Sequence, residues 1–310
     1  MPSVPNGARS TSTAAIRERI ERTLDQPARE WVRPDTGLSA AARYSVTLGD
    51  GTRVFIKAAT DKQTERWLRT EYAALQHVPE RFVPGVVAWI DEPGCYPILV
   101  VEDLRLAHWP ASHQGVDWRA GDIDQVLAAV ADLSRIQAPS VFGPSPRRPA
   151  LWPALMRKGP DRDAFLDLGL CSATWLTHAA PLLVEAEARL DDSGDWTVHG
   201  DLRSDNICID AERVVFVDWS NASRGHAEHD LAQLLPTLHL EGGPLPYEVM
   251  PTGDGWAAAG CASLARRVLD EHALPSWLAR VFVRLTAIDL SWAASCLVLP
   301  QPDGTDWQAI

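Results

Sequence analysis

Basic charge is in short supply in this sequence. Its 310 residues carry 29 Lys and Arg against 41 Asp and Glu, a formal net charge of −12. Lysine is the scarcest of these, present only as Lys57, Lys62 and Lys158. A general nucleic-acid binder needs a basic face to meet phosphates, so that class is excluded. An acidic surface serves solubility, and it equally suits a cationic small molecule. Cysteine is sparse and scattered, at Cys95, Cys171, Cys208, Cys261 and Cys296. No two stand at metal-finger spacing, and the odd number gives no disulfide framework, so the expectation is a reduced, cytoplasmic protein. There is no long unbroken apolar run. The nearest, residues 278–299, is interrupted by Arg280, Arg284 and Asp289, each costly in lipid, and is expected to be a buried helix rather than a span. The opening Met1-Pro2-Ser3-Val4-Pro5-Asn6 has no basic region leading into an apolar segment, so no secretory signal is expected.

What is present, at 46% hydrophobic, suffices for one large core or two unequal ones. The most informative stretch is Val198-His199-Gly200-Asp201-Leu202-Arg203-Ser204-Asp205-Asn206-Ile207. It sets the acid Asp201 five residues before the amide Asn206. An apolar strand at 214–217 then delivers a second acid, Asp218. Metal-dependent phosphoryl transfer needs one carboxylate near the attacking hydroxyl, plus an amide and a further carboxylate to hold Mg²⁺ on the phosphates. The spacing resembles the protein-kinase set. With His-Gly-Asp in place of His-Arg-Asp, and Asp-Trp in place of Asp-Phe-Gly, it is similar to the aminoglycoside phosphotransferase family of small-molecule kinases.

That resemblance implies an α+β, bilobal protein-kinase-like fold. A small antiparallel β lobe, residues 1–103, would bind nucleotide. A larger, mainly helical lobe, 104–310, would carry the catalytic loop and the acceptor. The resemblance gives Asp201 the acceptor hydroxyl and its proton, and Asn206 and Asp218 the Mg²⁺. It makes His199 a brace for the metal loop and Asp230 an acceptor for backbone donors of the catalytic loop. Arg203 stands where it can meet the transferred phosphoryl group, or form a surface salt bridge. The implied co-substrate is ATP or GTP. The expected partners are that nucleotide and a small-molecule hydroxyl acceptor, with neither nucleic acid nor membrane, on a monomer or weak dimer.

The residues upstream fit this plan. Residues 13–25 have helical spacing in Ile16, Ile20 and Leu24. Residues 43–48 and 53–57 read as strands joined at Gly49-Asp50-Gly51-Thr52, a strong hairpin signal. The second strand ends in Lys57, which matches the third-strand lysine that binds phosphates. A helix over 61–77 offers two carboxylates to hold that lysine. Spacing admits both Glu71 and Glu65, and the context of Glu71 is closer to the family pattern. Kinases place a glycine-rich turn over the phosphates. The corresponding 37–41 here has one glycine, Gly37, leaving Ser39 and backbone amides as donors. Residues 86–90 and 97–101 read as a further hairpin, leading to Glu102-Asp103-Leu104. By the resemblance, the Glu102 carbonyl and the Leu104 amide read the purine edge there.

Beyond the hinge, 105–121 is a loop with scattered aromatics and 122–137 an amphipathic helix. The proline-rich 138–160 reads as a stiff loop without helix or strand. Helices are expected over 161–169, 172–191, 231–240, 255–273 and 276–298. The acidic residues Glu228, Glu241, Glu248 and Asp254 favour a cationic acceptor, whereas Trp109, Trp118, Trp256 and Trp292 suit a less polar pocket. Antibiotics such as aminoglycosides, giving a resistance enzyme, and metabolite alcohols such as choline-like compounds or sugars are both open. So are two other classes. One is a silent nucleotide-binding module on the same fold. The other is a metal-dependent hydrolase built from His199, Asp201, Asp205 and Asp218, which would need neither Lys57 nor Glu71.

Overall fold

The structure, a computed structural model, describes residues 12–34, 41–112, 115–146, 150–211, 213–270 and 274–310. Ser39 lies outside the described residues. Helix α1 (Thr13–Leu24) begins at Ser12, whose hydroxyl accepts from the Ala15 N–H. The strands β1 (Ala28–Val32), β2 (Ala42–Leu48) and β3 (Arg53–Ala58) follow, then α2 (Lys62–His77), β4 (Val86–Ile90) and β5 (Ile98–Glu102). They form one antiparallel sheet in the order β1-β2-β3-β5-β4. The expected hairpin joins β2 to β3, with Gly51 at φ 92° in the turn.

The period of two sorts the side chains of this sheet. Tyr44, Val46, Val54, Ile56 and Ala58 point to one face and pack with Ile16 and Ile20 of α1. Residues between them point to the other face. There Leu99 and Val101 of β5 pack with Leu68 and Leu75 of α2. That second core runs on into the helical lobe through Val126, Leu202, Phe216 and Trp219. The sheet's inner face is thereby fixed against the segment that carries Asp201.

After β5 come the short strands β6 (Ala111–Ser112) and β7 (Gly115–Val116), then α3 (Asp122–Leu133), α4 (Trp152–Leu155), α5 (Pro160–Asp167) and α6 (Ala173–Arg189). The central segment holds β8 (Trp196–Val198), β9 (Ile207–Asp210), β10 (Arg213–Phe216) and β11 (Ser223–Gly225). Helices α7 (His229–Leu240), α8 (Pro246–Val249), α9 (Asp254–Asp270) and α10 (Ser276–Cys296) complete the lobe. Their core gathers Trp152, Phe165, Leu176, Leu235, Cys261, Leu290 and Trp292. The apolar stretch at 278–299 is thus a core helix, as expected, and no described helix is long and apolar enough to cross a membrane.

One local expectation fails. The proline-rich 138–160 is not free of helix, because α4 forms inside it. Trp152 is fully buried and its indole donates to the Ala258 carbonyl at 2.8 Å. The Glu187 carboxylate on α6 accepts from the N–H groups of Leu151 and Trp152 at the start of α4. Tertiary packing and a distant cap stabilise a turn whose local sequence does not encode it.

Candidate active site

The loop between β8 and β9 is held by buried hydrogen bonds. His199 is fully buried, and its Nε2 lies 3.0 Å from the Val217 carbonyl, so it donates. Its Nδ1 lies 3.3 Å from the Asp201 N–H and accepts. Both nitrogens are thereby used by a neutral ring, and burial pulls its pKa down to about 4. A ring so engaged braces the strand before Asp218 and is unavailable as base or metal ligand. This removes one member of the hydrolase constellation. Asp230, at the start of α7, accepts from the N–H groups of His199 at 2.7 Å and Gly200 at 3.0 Å. Burial pushes its carboxyl up to about 6. Gly200 has φ 78°, and a Cβ there would stand 2.6 Å from the Asn221 carbonyl oxygen, so this position requires glycine.

From that frame three polar side chains emerge. Asn206 Nδ2 donates to the Asp201 carbonyl at 2.8 Å. That bond turns the amide nitrogen toward the loop, and the other polar atom of the side chain is a carbonyl oxygen. The Val217 N–H donates to the Asn206 carbonyl at 2.9 Å, tying β9 to the residue before Asp218. Asp218 has left-handed backbone, φ 66° and ψ 56°, which turns it off the end of β10. The Lys57 ammonium, aided by Arg43, holds its carboxyl below the usual range against its burial. Asp201 differs, since burial raises its carboxyl, opposed by the Arg203 charge. Arg203 Nε stands 3.7 Å from Asp201 Oδ1, and its other arm binds Asp205 Oδ2 at 3.1 Å.

The small lobe closes the site. Lys57 Nζ lies 2.6 Å from Glu71 Oε1 and 3.4 Å from Asp218 Oδ1. Burial disfavours the Lys57 charge, yet the two carboxylates outweigh it and set its pKa above the ordinary lysine value. Glu71 falls on the inner side of α2 with Thr64, Leu68 and Leu75. Glu65 is on another side and pairs with Arg69 at 3.0 Å. The geometry therefore settles the choice between the two glutamates in favour of Glu71.

Other expected residues are placed as follows. The Glu102 N–H donates to the Gly85 carbonyl, and its carboxylate meets Arg213 at 2.5 Å, so the end of β5 is tied on both sides. The Leu104 carbonyl accepts from the Ala107 N–H and the Trp109 indole, both at 3.0 Å. Of the aromatics, Trp256 and Trp292 are buried core residues rather than pocket lining. Of the acids, Glu241 accepts from the Trp118 indole, Glu228 from the Trp256 indole, and Asp254 pairs with Arg189. Among the described residues no three His, Cys, Asp or Glu side chains cluster as a metal cage.

Sequence reasoning missed Arg43. Its guanidinium lies 3.9 Å from Asp218 Oδ2 and its side chain is 13% exposed. It is the direct cross-strand partner of Lys57. The hairpin register, counted back from Gly49–Thr52, is the signal that finds it.

An ammonium held by a helix glutamate, facing a left-handed aspartate across two lobes, places the chain among kinase-like phosphotransferases. Its residues 31–279 match the phosphotransferase enzyme family, APH, and the chain belongs to that family, as a small-molecule kinase with a hydroxyl acceptor. Solved structures share its fold. A spectinomycin phosphotransferase in complex with ADP and spectinomycin aligns with TM-score 0.56 at 9% identity, over 92% of this chain and 99% of its own. A putative fructosamine-3-kinase from Thermobifida fusca aligns with TM-score 0.51 at 21% identity, over 90% and 99%. A macrolide 2'-phosphotransferase type I aligns with TM-score 0.50 at 19% identity, over 92% and 99%. Among curated protein sequences none matches this chain.

Proposed function

We propose that the protein moves the γ-phosphoryl group of ATP or GTP to a hydroxyl of a small molecule, with Mg²⁺ held by Asn206 and Asp218. The observation that carries this reading is the meeting of Lys57, Glu71 and Asp218, with Nζ 2.6 Å and 3.4 Å from the two carboxylates. A hydrolase would need neither Lys57 nor Glu71. The donor set fits the ion. The free oxygen of Asn206 and the carboxylate of Asp218 are hard ligands, and Mg²⁺ is ordinarily bound by one or two such groups together with substrate phosphates. When bound, the ion supplies charge neutralisation on the phosphates. Lys57 adds a fixed cation there, oriented by Glu71. Asp201 accepts a hydrogen bond from the acceptor hydroxyl, aims its oxygen at the phosphorus, and takes its proton as the bond forms. Arg203, 3.7 Å away, favours the charged carboxylate that this requires. The Glu102 carbonyl and Leu104 amide take the base. In this reading residues 1–103 bind nucleotide and 104–310 bind the acceptor, inside a cytoplasmic enzyme.

The acceptor we favour is a hydroxylated antibiotic, as the names of the spectinomycin and macrolide enzymes say of those proteins. A metabolite alcohol is the competing choice. The test is to incubate the protein with ATP and Mg²⁺ against a panel of aminoglycosides, macrolides, spectinomycin, choline-like alcohols and sugars. The reading requires ADP release that depends on one acceptor and stops with a chelator. Cleavage of a phosphoester without any nucleotide would defeat it in favour of the hydrolase.

A further inference from the structure

We propose that Arg43 is a second phosphate-binding cation of the nucleotide cleft, acting beside Lys57; this rests on the phosphotransferase reading above. The β2–β3 register sets Arg43 directly opposite Lys57, on the same face of the sheet. Like charges placed directly opposite one another destabilise a sheet. Both are also largely out of water, with side-chain exposures of 13% and 12%. Such a pair persists only where anions face it. Glu71 sits on Lys57 at 2.6 Å, while Asp218 stands between the two cations, 3.4 Å from Lys57 and 3.9 Å from Arg43.

The contact with Arg43 is the longer of these and exceeds hydrogen-bond range. A planar guanidinium can meet phosphate oxygens with two parallel N–H donors. Once Asp218 serves the metal, both cations face the polyphosphate. The sequence supplies a reason for a second cation. Where kinases carry a glycine-rich sequence for close backbone approach to phosphates, the sequence over 37–41 has one glycine. A side-chain cation on the adjoining strand makes up that deficit, and arginine does so bidentately.

The test is calorimetric binding of ATP, ADP, AMP and adenosine to wild type, Arg43→Ala and Arg43→Lys, each with Mg²⁺ and each checked by thermal melting. Arg43→Ala is expected to weaken ATP binding by about ten- to a hundredfold, the range of one charge-assisted hydrogen bond. The loss shrinks from ATP to AMP and vanishes for adenosine. Arg43→Lys regains part of the ATP affinity, and it decides the matter should the alanine variant fail to fold. Unchanged ATP affinity in either variant that loses the fork would overturn the assignment. So would an equal loss for ATP and adenosine, which would mark Arg43 as a structural residue of the cleft. A wild type that binds no nucleotide would instead sink the phosphotransferase reading and this proposal with it.

Discussion

Glu71 owes its position to a helical count. Thr64, Leu68, Glu71 and Leu75 fall on one side of α2 and are all buried, so residue 71 is carried inward with the apolar side chains. Glu65 stays outside with Arg69. Lys57→Ala is therefore expected to lower kcat/KM by about 10²-fold or more, the usual loss for one electrostatic contact to a developing charge. Glu71→Gln loses less, because the lysine can still reach the phosphates. Glu65→Gln stays near wild type. A double-mutant cycle should give Lys57 and Glu71 a coupling of about 0.5–3 kcal/mol. Coupling to Glu65 instead would contradict the geometry. At Asp201 the side chain and main chain have separate duties. Its carbonyl holds Asn206, and that bond survives substitution. Asp201→Asn should thus cost about 10²–10⁴ in turnover, with ATP affinity unchanged. Retention of more than about a tenth of the rate would move the base elsewhere.

At the scale of elements, the loop between β8 and β9 is gripped by two buried groups with opposite shifts. His199 stays neutral in the fold down to about pH 4, whereas the unfolded imidazole binds its proton near 6.5. Lowering the pH from 7 to 5 therefore favours the unfolded chain by about 2 kcal/mol through this group. Asp230 acts the other way, since its folded carboxyl, at about 6, takes up a proton that the unfolded one, at 3.8, does not. Through it the same acidification favours the fold by about 1 kcal/mol. His199→Gln should lower stability at pH 7 and yet lose about 2 kcal/mol less than wild type between pH 7 and 5. Urea titrations at both values measure this, and identical pH slopes would refute it. The role of His199 was legible from its place in the motif, as was the kinase-like fold through the resemblance that the motif carries, with the hairpin and helices following from periodicity. Helix α4 was not, because its cap, Glu187, lies on α6, some 35 residues downstream of it. Arg43 was not, because its meaning depends on which residue faces it across a strand pair. Trp292 was misread for a related reason. An indole says nothing about which side of its helix faces the core, and here it donates to the Met250 carbonyl inside it.

For the molecule as a whole the question is what its net charge of −12 does to the acceptor. A field that steered a cation to Asp201 would need acidic side chains converging there. Instead Glu241 is turned to Trp118, Glu228 to Trp256, and Asp254 to Arg189. Asp201 itself feels the negative charges of Asp205 and Asp218 and, opposing them, the positive charges of Arg203 and Arg267. The charges that act on Asp201 are therefore of both signs rather than of one. Electrostatic steering into a one-signed cleft raises association rates by about 10–10³ and falls steeply with salt. Charge of both signs, screened over about 8–10 Å near physiological ionic strength, does neither. The expected outcome is that kcat/KM for a cationic acceptor declines by only a few-fold, about as much as for a neutral one, from low to physiological salt. Parallel salt titrations on one charged and one neutral substrate of the panel measure it. A decline of about tenfold or more confined to the cation would show focused acidity, and would return the choice to polycationic acceptors.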